Sequence, residues 1–92
     1  MKQSEVNRFN KLYQQLLRSL KLQGKAKKTI EAYSRAVRRV SKYFDCCPDK
    51  LKPEQLKVYF ADLVESHSWS TVKIDRLGLQ FFWKHVLKLD WQ

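Results

Sequence analysis

The sequence predicts an all-α fold, a compact four-helix bundle whose C-terminal helix is buried. Three observations carry that expectation. Apolar residues recur at spacings of three and four along four separate stretches, the periodicity of helices with one buried face. Two glycines and two prolines in 92 residues provide few turns, too few for a fold of many short strands. The fourth stretch is apolar around most of its circumference, which marks a helix enclosed by its neighbours.

The first helix is expected from about Ser4 to Leu22, with Val6, Phe9, Tyr13, Leu16, Leu17 and Leu20 on one face. Gly24 follows where a left-handed residue can close it. The second ends near Phe44 and follows the stripe Ile30, Tyr33, Val37, Val40 and Phe44, with Ala36 at its border. A loop containing Cys46, Cys47 and Pro48 leads to the third helix, about Pro53 to Ser66. There Pro53 suits the first helical position, and Leu56, Tyr59, Phe60, Leu63 and Val64 share a face. The fourth runs from about Trp69 to Lys88, after Ser68, whose hydroxyl can accept from an otherwise orphan amide. Val72, Ile74, Leu77, Leu79, Phe81, Phe82, Val86 and Leu89 spread around it. Lys73, Arg76, Gln80 and Lys84, each about one turn from the next, make its polar stripe.

Charge is the strongest global feature. The net charge is +10, distributed as +4 over residues 1–24, +5 over 25–45, −1 over 46–69 and +2 over 70–92. Within the second helix the charge is sorted as well as dense. Lys27, Lys28, Arg35, Arg38, Arg39 and Lys42 fall opposite the apolar stripe, interrupted among acids by Glu31 alone. A solvated face usually interleaves Glu and Lys at i,i+4, because such pairs stabilise the helix. This face hardly does so, and a polyanion is the natural counter-charge. Lys25 adds to it just upstream. At the start of this helix, Ala26 stands where Ser68 caps the fourth. The free amides beside Lys27, Lys28 and Thr29 then read either as a phosphate site or as a tolerated defect of about 1 kcal/mol. On the fourth helix, the spacing of Lys73, Arg76, Gln80 and Lys84 suits a groove wall, with bases read by Arg or Gln and phosphates held by Lys. It also suits the wet edge of an otherwise buried helix.

Other classes are poorly supported. Cys46 and Cys47 are adjacent and cannot staple distant segments; they fit a reduced, cytoplasmic setting. With no His or further Cys at ligand spacing, no metal or cofactor is expected. No run approaches a membrane span, and no signal peptide opens the chain. One domain covering residues 1–92 accounts for the length.

Three motifs stand out by their order and spacing: Thr29-Ile30-x-x-Tyr33, Leu51-x-Pro53-Glu54-Gln55-Leu56, and Ser68-x-Ser70-Thr71 followed by Leu77-x-Leu79-x-Phe81-Phe82. Together they resemble the N-terminal, SAM-like core-binding domain of tyrosine recombinases, the phage-integrase family, and are most similar to its integron-integrase and transposon branch. The resemblance spans about residues 12 to 89; Ala26 departs from the serine usual three residues before that threonine. It implies a SAM-like four-helix bundle forming half of a C-shaped clamp on double-stranded DNA, with the second and fourth helices facing the DNA. It also implies a monomeric domain cut from a longer recombinase, whose partners are a C-terminal catalytic domain and other protomers on DNA.

Family catalysis uses a His-x-x-Arg element and a nucleophilic tyrosine in that separate domain. Here His67 is followed by Ser68-Trp69-Ser70 and His85 by Val86-Leu87-Lys88, and Tyr13, Tyr33, Tyr43 and Tyr59 lie at core spacing. No chemistry is expected of this chain alone. Trp69, Trp83 and Trp91 are candidates for a surface against the catalytic domain or a neighbouring protomer, with core packing favoured for Trp83. The expected function is DNA binding in site-specific recombination and integration. A helical protein-interaction module whose basic face takes an acidic partner is the alternative. RNA binding ranks third, since its single-strand readers need exposed aromatics beside cations.

Overall fold

The computed structural model describes residues 2–88. Four α-helices follow in order: α1 Gln3–Leu22, α2 Lys27–Phe44, α3 Pro53–Ser66 and α4 Trp69–Phe81. A 310 turn, Pro48–Lys50, lies between α2 and α3, and α4 runs on into a π-helical segment, Phe82–Leu87. No strand occurs among the described residues.

The helix ends follow from local chemistry. Gly24 takes φ +69° after α1. The Lys25 amide then donates to the Leu20 carbonyl and the Gly24 amide to that of Lys21, which satisfies two of the orphan carbonyls of the last turn. At the end of α2 the left-handed position falls to Asp45, with φ 51°. Ser68 caps α4 as expected, accepting from the Thr71 amide at 3.3 Å. Ala26 leaves the start of α2 without a side-chain cap. At α3 the Gln55 side chain reaches back to accept from the Lys52 amide.

Leu16 and Leu20 of α1, Val37 and Val40 of α2, Leu56, Tyr59 and Leu63 of α3, and Val72, Leu79, Phe81, Phe82 and Trp83 bury one continuous core. α4 packs on α2 and α3, while its π-helical extension packs on α1, so the last helical stretch is the central one. The start of α1 is tied to the 310 turn by Glu5, which accepts from the Cys47 amide at 2.8 Å, and by Arg8, 3.0 Å from the Asp49 carboxylate.

Two expectations need correction. The last helix is not α-helical to Lys88; it changes to i→i+5 hydrogen bonding at Phe82. The change falls within the consecutive buried residues Phe81, Phe82 and Trp83, Phe81 closing the α-helical part and Phe82 and Trp83 opening the π-helical one. Apolar residues around α4 are also not all enclosed. Ile74 and Leu77 remain 41% and 42% exposed, because the other helices cover α4 on one side only, and Val64, expected on the apolar face of α3, is 45% exposed at its edge. Leu89 and Trp91 lie outside the described residues.

Candidate nucleic-acid interface

The α2 cations stand clear of the core. Lys25, Lys27, Lys28, Arg35, Arg38 and Lys42 are exposed, and Thr29 is half-buried. Small buried residues on the inner side, Ser34, Ala36 and Ser41, let the helix lie close to its neighbours. The Ser34 hydroxyl is absorbed locally by donating to the Glu31 carbonyl.

Arg39 behaves differently from the rest of its face. Its Nη1 lies 2.6 Å from Oδ2 of Asp75 on α4, and Asp75 is 3% exposed. Burial pushes the Asp75 carboxyl above its ordinary range, and the Arg39 guanidinium pulls it back. Arg39 thus spends its charge inside the fold, joining α2 to α4. Sequence reasoning placed it with the free cations and overlooked Asp75. The signal was available: an acid on the apolar side of α4, opposite its polar stripe, needs a buried partner. Tyr59 completes this region. Its hydroxyl is buried without a hydrogen-bond partner among the described residues, and burial, reinforced by the Asp75 charge, raises its phenol well beyond the usual range.

Gly78 brings α2 and α4 together. A Cβ placed there would lie 3.0 Å from Tyr33 Cα and 3.1 Å from Ala36 Cβ, too tight to be accepted without movement. An isolated glycine inside a strong helical pattern is the sequence mark of such an approach.

Three shallow clefts show how the candidate residues group. One lies between Arg35 and Arg39 of α2 and Thr71, Ile74 and Asp75 of α4. A second joins Tyr33 of α2 to Leu77, Gln80, Phe81 and Lys84. The third holds Lys73 and Arg76 beside Trp69 and Val72, on the flank of α4 that faces α3. Arg35, Gln80 and Lys84 are therefore brought to the α2–α4 junction. Lys73 and Arg76 continue the stripe away from it, and Lys25, Lys27, Lys28, Arg38 and Lys42 line none of the three clefts.

Next to the third cleft, a larger apolar one of about 450 Å³ opens between α3 and α4, lined among others by Leu56, Phe60, Val64 and Trp69. Trp69 is 72% exposed, whereas Trp83 is a core residue. Of the tyrosines expected at core spacing, Tyr43 lies at the edge, its hydroxyl donating to the Asp62 carboxylate, while Tyr13 and Tyr33 are half-buried and Tyr59 is buried. His85 packs on Phe81 with ring centroids 4.4 Å apart and shares a hydrogen bond with the Gln23 amide, and exposed His67 sits beside the Ser66 hydroxyl. Both cysteines are free thiols. Among the described residues no group of His, Cys, Asp and Glu is placed to hold a metal ion, and no helix is long and apolar enough to cross a membrane.

The family model described as phage integrase, N-terminal SAM-like domain, matches residues 12–92. No curated protein and no solved structure matches the chain significantly.

Proposed function

The chain belongs to the phage-integrase N-terminal SAM-like domain family, and on that premise we propose that it is a module of a tyrosine recombinase that binds duplex DNA. In this reading the domain, covering residues 1–92 of a longer protein, forms half of a clamp on the core site, with α2 and α4 toward the DNA. The strand-cleaving chemistry belongs to a separate catalytic domain, and other protomers join it on the DNA.

The observation that carries the proposal is the sorted, exposed charge of α2 beside the polar stripe of α4. Among the described residues no carboxylate forms an ion pair with Lys27, Lys28, Arg35 or Arg38, so phosphates are their fitting partners. Lys25, Lys42, Lys73, Arg76 and Lys84 extend the cationic surface, and Thr29 at the uncapped start of α2 can donate to a phosphate. Gln80 is the candidate base reader. Arg39 takes a positioning role, through its ion pair with Asp75.

Fluorescence anisotropy of a labelled duplex of about 30 base pairs, titrated between ~50 and ~200 mM salt, tests this. Neutralising about five phosphates gives a log–log salt slope of roughly −4.5. A slope near zero would sink the proposal. The apolar α3–α4 cleft and exposed Trp69 favour a second reading, a protein-interaction module. Self-association without DNA affinity at low salt would select it.

A further inference from the structure

Two large aliphatic side chains stand where the proposed interface should be polar. Ile74 and Leu77 are 41% and 42% exposed. Ile74 lines the cleft that Arg35 borders from α2, and Leu77 lines the one shared by Tyr33, Gln80 and Lys84. With about 3.6 residues per turn, the exposed arc of α4 passes from Arg76 through Gln80 and Lys73 to Leu77 and then Ile74, before reaching the flank closed by Gly78 against α2. The two aliphatics therefore lie between the cations of α4 and those of α2, with Gln80 close by.

Cations on either side of an aliphatic centre match a duplex groove in a specific way. The flanking Lys and Arg side chains meet phosphates along the groove walls, while the centre meets base edges. In the major groove the one apolar group on a base edge is the C5-methyl of thymine, and its partner adenine offers the N6–N7 pair that glutamine binds bidentately. We infer that Ile74 and Leu77 are specificity residues that pack on thymine methyls, so the domain prefers A·T pairs where α4 enters the groove. This rests on the DNA-binding reading above and adds to it a stated base preference. An acidic protein surface would satisfy the cations equally well, but it carries no thymine methyl, so chemistry on the DNA separates the two.

The test uses the 92-residue chain and two A·T-rich duplexes of about 30 base pairs, identical except that deoxyuridine replaces thymidine in one. Anisotropy at ~50 mM salt should find the deoxyuridine duplex weaker by about fourfold for each thymine methyl that the side chains no longer meet, hence about tenfold or more for two. The variant Ile74→Ser with Leu77→Ser, checked for helicity by circular dichroism, should bind both duplexes equally and keep the wild-type salt slope. Equal affinity of the wild-type chain for the two duplexes overturns the inference while leaving DNA binding in place. A variant that retains the discrimination overturns the assignment to these two residues. Binding to neither duplex overturns the inference together with the DNA-binding reading.

Discussion

The Arg39–Asp75 pair is where single residues decide most. A carboxylate at 3% exposure is tolerable while the guanidinium stays 2.6 Å away; removing one partner of such a pair strands the other. Arg39→Ala should cost about 3 kcal/mol at neutral pH. The pH dependence supplies a sharper check. Burial raises the Asp75 carboxyl, so the folded chain holds that proton more firmly than the unfolded chain does. Its contribution favours folding below the ordinary value of 3.8 and is lost as pH rises through the raised value. Without Arg39 the carboxyl rises further and the window widens upward. Urea melts of Arg39→Ala and wild type should therefore differ more at about pH 7 than at about pH 4.5; an equal gap at both would assign the loss to packing instead. Tyr59 makes the opposite case. Its buried hydroxyl has no hydrogen-bond partner among the described residues, so Tyr59→Phe should raise stability by about 1 kcal/mol in the same melts.

Between elements, the α2–α4 junction governs how the candidate surface is presented. Gly78 sets the separation of the two helices, and a methyl there would press on Tyr33 backbone rather than on a yielding side chain. Gly78→Ala should destabilise the domain by about 1–3 kcal/mol, read as a lowered midpoint in thermal denaturation. A neutral result would mean that α4 shifts freely on α2. The charge of α2 is testable separately from its packing, because Lys28 and Arg38 are exposed and lie away from Asp75, whose carboxyl the Arg35 charge also pulls down. Lys28→Glu with Arg38→Glu should weaken duplex binding at least about tenfold, with helicity and melting nearly unchanged. Lys57→Glu, on α3, should change it by less than about twofold. The contrast separates a cationic site from net charge, which alone would make all such reversals similar.

Across the whole molecule, much was legible from the order of residues, and the reasons are local. Helix positions followed from apolar spacing, the stop after α1 from Gly24, the start of α4 from Ser68, and the sorted charge of α2 from its own wheel, since each depends on neighbours within a few positions. The motifs beginning at Thr29, Leu51 and Ser68 likewise carried the family, which the match over residues 12–92 establishes. Less was legible where partners are distant in sequence. Arg39 reads as one more surface cation until α4 sets Asp75 beside it, 36 residues away. Ile74 and Leu77 read as core residues until the packing leaves their side of α4 uncovered, and the apolar run Phe81-Phe82-Trp83 gave no sign that the hydrogen bonding turns π-helical at Phe82. The sequence by itself determined which faces are apolar and which are charged, because side-chain direction along a helix is fixed by its period. Only the tertiary structure decided which charges stay free and which apolar residues stay wet, because burial and ion pairing belong to pairs of elements and not to either one alone.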